Sequence, residues 1–275
     1  MRGLQVACIA IVALYVTFRL KTSDPWAFAA RFLTLSLGAF VGENSMIHLY
    51  GFYGYGPLWW LFIDRVPLLV VLIWPVVIDS AMMLARHVAG PSAPAYKWLL
   101  LTFLFVLSDA ALIEPIAVTT GLWFWTHPGL FRVPPIGILG WAYFSVLAAG
   151  TLHATRGRGP VLRALAVLLV APLGCHALLL ASWWGGLRFV DVTLAPRTVA
   201  AVALVLGLVV AGTSLVLRIR RRVPPWELWV RAPAAAFFFV LLFAYADGGP
   251  FLVPYAVAFA VPYLTLLRLP SRQPG

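Results

Sequence analysis

Long apolar runs separated by short polar breaks dominate the chain. A helix needs about 20 predominantly apolar residues to cross a bilayer. Nine segments meet or approach that length: 4–20, 28–49, 64–86, 97–120, 136–154, 160–182, 197–218, 228–246 and 250–268. Turn-forming residues mark the breaks, among them Ser23-Asp24-Pro25, Gly54-Tyr55-Gly56-Pro57, Gly90-Pro91, Pro134-Pro135, Gly185-Gly186, Pro224-Pro225 and Gly248-Gly249-Pro250. The pattern predicts an all-α fold, a polytopic transmembrane helix bundle of about nine spans forming a single integral-membrane domain over residues 1–275. No internal repeat or low-complexity segment interrupts it.

Charge orients the bundle. Of the 20 Lys and Arg residues, all but Arg2, Arg65, Arg132, Arg188 and Arg197 fall on one side of the nine-span alternation. That basic side includes Arg86 and Lys97, the group Arg156, Arg158 and Arg163, and the run Arg218, Arg220, Arg221 and Arg222, with Arg268 and Arg272 near the end of the chain. The positive-inside rule predicts the N-terminus outside and the C-terminus in the cytoplasm. The stretch Met1 to Leu20 has the apolar core of a signal peptide. Its strong charges, Arg19 and Lys21, follow that core rather than precede it, which favours a retained first span.

Composition agrees with this class. With 63% hydrophobic and 11% charged residues, the chain has too little charge to cover a soluble surface. A net charge of +11 suggests a nucleic-acid binder, but the basic residues sit in short runs between apolar segments, as topology signals do. Nucleic acid is therefore not an expected partner. Cys8 and Cys175 lie within apolar runs, so neither a disulfide nor a metal framework is expected.

The nine acidic residues can be weighed singly. Asp24 and Glu227 at the cytoplasmic edge, and Asp64, Asp191 and Asp247 at the outer edge, read as solvated loop charges. Glu43, Asp79, Asp109 and Glu114 fall inside spans, where an ionisable group is costly unless paired, neutralised or used. Glu43 and Glu114 lie in the outer parts of their helices, Asp109 near mid-depth and Asp79 towards the cytoplasmic end. Asp109 and Glu114 stand five residues apart, about 140° round a helix, so they do not share a face. Pro115 removes a helix hydrogen bond beside them. In the second span, Asn44 and His48 share a face at i,i+4, and Gly38 and Gly42 offer a small surface for close helix contact.

Several chemistries are excluded. The histidines, at 48, 87, 127, 153 and 176, are never closer than 23 residues, unlike the clustered boxes of di-iron membrane oxidases. No dinucleotide fingerprint, phosphate-binding loop, zinc-protease motif or nucleophile elbow is present. No metal or cofactor is expected.

Carboxyls and aromatics remain. A carboxyl in a low-dielectric site favours its protonated form and can serve as a general acid. Inside a membrane its natural substrate is an alkene. Protonating a trisubstituted isoprenoid double bond gives a tertiary carbocation, which aromatic faces stabilise. Capture by water is hydration; capture by an internal double bond is cyclisation. Tyr50, Phe52, Tyr53, Tyr55, Trp59 and Trp60 follow the second span, and Trp123, Phe124, Trp125 and Trp141 flank the loop after the fourth. Both groups fall at the outer face beside Glu43 and Glu114.

These residues carry a resemblance. Glu43 followed by Tyr50-Gly51-Phe52-Tyr53-Gly54-Tyr55, then Val66-Pro67-Leu68 with Trp74, Asp109, Glu114-Pro115, Gly121-Leu122-Trp123-Phe124-Trp125, Val133-Pro134 and Gly140-Trp141 resemble the integral-membrane carotenoid biosynthesis family that includes carotenoid 1,2-hydratases of the bisanhydrobacterioruberin hydratase type. The likeness is strongest over residues 40–145. Where that family has Asp-Pro this chain has Glu114-Pro115, which keeps the carboxyl. Phe131-Arg132 and Gly137-Ile138 replace the family's Val-Pro-preceding and Gly-Trp-preceding residues, the latter removing an Asn.

The resemblance implies a cofactor-independent enzyme acting on a hydrophobic polyene and water in a bacterial-type inner membrane, with other enzymes of the pathway as partners. The expected reaction is hydration of the terminal double bond of an acyclic carotenoid; an isoprenoid cyclase, or a non-catalytic transporter or partner protein, are the alternatives. Asp109 or Glu114 is the expected acid, and Glu43 orients or activates water. Tyr50, Tyr53, Trp123, Trp125, Trp141, Asp79 and His48 are the expected substrate-binding residues.

Overall fold

The computed structural model describes residues 2–189, 195–219 and 223–266. Helices form where the apolar runs lie: α1 Arg2–Thr22, α2 Pro25–Tyr50, α3 Leu68–Ala89, α4 Ala95–Thr119, α5 Pro135–Ala154, α6 Pro160–Gly185, α7 Pro196–Val216, α8 Pro225–Trp229, α9 Ala232–Tyr245 and α10 Leu252–Leu264. Pro opens α2, α5, α6, α7 and α8, at the position where its missing N–H has no helical partner to lose. Asp24 caps α2 by accepting from the Ala27 N–H at 2.8 Å. Among the described residues, eight helical stretches are long and apolar enough to span a membrane, with α8 and α9 together making the eighth, Pro225–Tyr245. The chain is thus an all-α polytopic membrane bundle. The ninth apolar segment, α10, has 13 described helical residues, about 20 Å of helix. The end of the expected 250–268 span, Asp191, the Arg220–Arg222 run, Arg268 and Arg272 lie outside the described residues.

The helices pack partly in chain order and partly across it. α2 lies against α3 and α6, α5 against α4 and α6, and α10 against α7 and α4. Gly38 and Gly42 make the close contact their spacing suggests. A Cβ at Gly42 would come 3.2 Å from the Phe144 ring, and one at Gly38 3.5 Å from Val167.

Two pieces of sheet depart from the all-helical pattern. β1 (Tyr53–Tyr55) pairs antiparallel with β4 (Trp123–Trp125), joining the loops after α2 and α4 at one end of the bundle. β2 (Phe62–Ile63) pairs with β3 (Val66–Pro67), so the third span begins at Leu68 and not at residue 64. The cause is local: Asp64 sits at φ 52, in the left-handed region, and turns the chain between the two short strands.

The opposite end holds a buried ionic network. Asp79 accepts from the Tyr15 hydroxyl at 2.7 Å and from Arg31 Nε at 2.7 Å, with Arg19 Nε at 3.4 Å. Arg19 also donates to both carboxylate oxygens of Glu227, at 3.2 and 2.9 Å. Glu227 is only 1% exposed, which corrects its reading as a solvated loop charge. The short helix α8 turns it inward to a bidentate arginine, the pairing that makes a buried carboxylate tolerable. Asp24, Asp64 and Asp247 are exposed as expected.

Candidate active site: two glutamates in an aromatic cage

At the sheet-bearing end, the C-terminal turns of α2 and α4 bring Glu43 and Glu114 to the wall of one cavity of about 170 Å³. That is well above the roughly 10–15 Å³ a single water needs. No Lys, Arg or His lines it among the described residues.

The strand pair builds most of the cage. In an antiparallel pair, opposed residues share a face and alternate residues return to it. The register Tyr53↔Trp125 and Tyr55↔Trp123 therefore puts four aromatic side chains on one side. Gly54 and Phe124 fall on the other, and Phe124 lies so close that a Cβ at Gly54 would meet its ring at 2.9 Å.

The two tyrosines serve Glu43: Tyr55 donates to Oε2 at 2.9 Å, and Tyr53 donates to the same oxygen. The two tryptophans serve Glu114: Trp123 and Trp125 donate to Oε2 at 2.9 and 2.8 Å. Each remaining oxygen takes one indole N–H, Trp74 on Glu43 Oε1 at 2.9 Å and Trp141 on Glu114 Oε1 at 2.7 Å.

A carboxylate offers about four lone-pair positions. Three are filled on each glutamate, and the open one is on Oε1. Burial and the neighbouring Glu43 carboxyl hold Tyr53 and Tyr55 well above the usual phenol range, so both remain O–H donors.

Helix spacing completes the arrangement. On α5, Gly137 and Trp141 are one turn apart and share a face. Trp141 reaches Glu114, while Gly137 leaves room for the Trp125 indole, which a Cβ there would meet at 2.4 Å. Gly137 thus clears space for one of the donors.

The expected site residues separate into groups. Glu43, Glu114, Tyr50, Tyr53, Trp123, Trp125 and Trp141 all line the cavity. Asp109 faces elsewhere, as its angular offset from Glu114 requires. It pairs with Arg231 Nη2 at 2.5 Å and accepts from the Tyr263 hydroxyl at 2.8 Å. Asp79 belongs to the ionic network at the other end. His48 and Asn44 do share a face, and both bond exposed Asp64, at 2.6 and 2.9 Å. These two hydrogen bonds hold the Asp64 carboxyl below its ordinary range.

Two donors of the Glu43 set carried no assigned role in the sequence reading. Tyr55 was signalled by the alternation Tyr53-x-Tyr55, repeated in Trp123-x-Trp125. Trp74 comes from a separate helix, and no spacing predicts that it reaches Glu43.

A scan against protein families matches residues 3–210 to a family described as carotenoid biosynthesis protein. The match takes in both glutamates and all six of their donors. No curated protein and no solved structure matches the chain. By a match over most of its length, this chain belongs to the carotenoid biosynthesis protein family.

Proposed function

We propose that the protein hydrates the terminal double bond of an acyclic carotenoid, with Glu114 as proton donor and Glu43 as the ionised partner. The carrying observation is the cage: two carboxyls, each held by three neutral donors, in one cavity with no basic side chain among the described residues. Two neighbouring carboxyls with no cation to compensate them favour sharing one proton over ionising together. One acid and one anion is the pair an alkene hydration needs.

Glu114 delivers its proton from Oε1 to the less substituted alkene carbon, and the π electrons form the new C–H bond. A tertiary cation remains on the other carbon. The three indole donors hold the carboxylate left on Glu114, and the anionic Glu43 with the faces of Trp74, Trp141 and Tyr53 stabilises the cation. Water held at the open Glu43 lone pair adds through oxygen and releases one proton to solvent, leaving a tertiary alcohol. A second proton returns to Glu114 from solvent, so alkene and water are the only reagents consumed.

The polyene enters from the bilayer, and the setting is a bacterial-type inner membrane with the cavity at its outer face. The test is mass spectrometry of pigments from a bacterium that makes lycopene and expresses this chain. A product heavier by one water is expected, absent with Glu114→Gln. A product of unchanged mass and altered retention would replace hydration by cyclisation. An unchanged pigment pool, with protein in the membrane, would remove catalysis on this substrate.

A further inference from the structure

At the rim of the same cavity stands a histidine that the sequence reading leaves without a role. His176 on α6 lies 3.0 Å through Nδ1 from the Tyr50 hydroxyl and 2.9 Å through Nε2 from Ser45 Oγ. Ser45 also donates to the Gly42 carbonyl at 3.0 Å. A hydroxyl has one proton, so with a neutral imidazole a single assignment satisfies all three contacts. Ser45 donates to Gly42, His176 Nε2–H donates to Ser45, and the bare Nδ1 accepts from Tyr50. The Tyr50 oxygen then keeps its lone pairs free. Tyr50 and its neighbours Phe52 and Trp183 line the cavity, and both Tyr50 and His176 are half-buried. Tyr50 stacks on Phe52 at 5.5 Å and Phe52 meets Trp183 at 5.6 Å, forming an aromatic rim. Ile11, Val76, Phe237 and Phe238 also line the cavity, with apolar side chains.

The geometry points to Tyr50, backed by His176, as the group that receives the proton of the attacking water. This rests on the hydration reading above. Water enters at the rim and donates one O–H to the Tyr50 oxygen. As the water oxygen bonds to the tertiary cation, its proton passes to Tyr50, and the Tyr50 proton passes to His176 Nδ1. The result is an alcohol, a neutral Tyr50 and an imidazolium that loses its proton to solvent at the half-buried rim. Tyr50 touches the reacting water; His176 acts through Tyr50 and is a positioning residue, its tautomer fixed by Ser45.

The readout is the ratio of hydrate to unhydrated isomers, because the cation forms upstream of this step. Without this relay from water to solvent, a cation formed by Glu114 loses a proton elsewhere or closes on a double bond, giving products of unchanged mass. Tyr50→Phe and His176→Gln are each expressed in the lycopene-producing bacterium beside the unsubstituted protein and Glu114→Gln. We expect the hydrate-to-isomer ratio to fall about 100-fold in both, the lower end of what a positioned proton acceptor contributes. Glu114→Gln removes both kinds of product. A ratio equal to that of the unsubstituted protein, at any level of conversion, overturns the proposal and leaves the hydration reading standing. So does loss of hydrate and isomers together from protein present in the membrane at normal amounts. Should His176→Gln not reach the membrane, Tyr50→Phe, lighter by one oxygen, gives the same reading. If the unsubstituted protein forms no hydrate, the hydration reading falls first and takes this proposal with it.

Discussion

Trp74 and Trp141 pack with ring centroids 4.7 Å apart and their planes tilted by 36°, yet each donates its indole N–H to a different glutamate. The pair is the seam between two carboxyl cages. Its members are the single donors on Glu43 Oε1 and Glu114 Oε1, the two oxygens that each keep an open lone pair. The positions left for a proton and for water are thus both on the oxygens that this seam holds. Two helices, α3 and α5, supply it, and the strand pair supplies the four remaining donors.

Trp141→Phe keeps an aromatic ring beside Trp74 and deletes the donor on Glu114 Oε1. In the proposed reaction that donor acts on the carboxylate left when the proton departs, so its loss weighs on the transition state more than on the resting acid. A hydrogen bond to a charged group contributes about 2 kcal/mol, and about 2 kcal/mol is roughly a 30-fold change in rate. Conversion should slow by about that factor, measured as the initial rate of pigment change in membranes holding equal amounts of protein. Trp74→Phe should slow it similarly through Glu43. An unchanged rate in Trp141→Phe would move the proton donor away from Glu114.

Much of this arrangement is legible in the sequence, for identifiable reasons. Apolar runs and Pro breaks place the helices within a few residues, because bilayer thickness and the missing proline N–H act locally. The carboxyls stand out because an acid within a span is rare and costly. Which acid faces the cavity follows in part from angle: Asp109 and Glu114 cannot share a face, and they do not. The strand pair was hidden, since β1 and β4 are three residues each and lie 68 residues apart, too short for a periodic signal. Glu227 was misread because a charge beside Pro224-Pro225 resembles a loop residue. Its partner Arg19 is 208 positions away, and only tertiary contact reveals the pair.

Asp109 leads to a prediction of the opposite kind. Its carboxylate neutralises Arg231, whose guanidinium also donates to Ser80 Oγ at 2.7 Å. Asp109→Asn leaves that cation largely buried without its anion, a break that costs about 3 kcal/mol. The thermal midpoint in detergent should drop, and Asp109→Leu with Arg231→Met together should recover part of the loss, because no charge is left unpaired. The pigments formed should keep the unsubstituted pattern. Well-inserted Asp109→Asn protein that makes no product would transfer the acid's role from Glu114 to Asp109.

The last prediction concerns which side of the membrane the cavity faces. The loops at the cavity end that join α2 to α3 and α4 to α5 carry only Arg65 and Arg132 as strong bases. The opposite loops, from α3 to α4 and from α5 to α6, carry or adjoin Arg86, Lys97, Arg156, Arg158 and Arg163. Short loops rich in Lys and Arg stay in the cytoplasm, so the cavity should open towards the outer face. The native thiols, Cys8 and Cys175, are buried and give little background to a membrane-impermeant maleimide. Exposed positions can therefore report the topology singly. Pro128→Cys, in the loop after β4, should label in intact cells, and Ser92→Cys, between α3 and α4, only after permeabilisation. The reverse pattern would invert the bundle, turn the rim at Tyr50 and His176 towards the cytoplasm, and make the cytoplasm the source of the water.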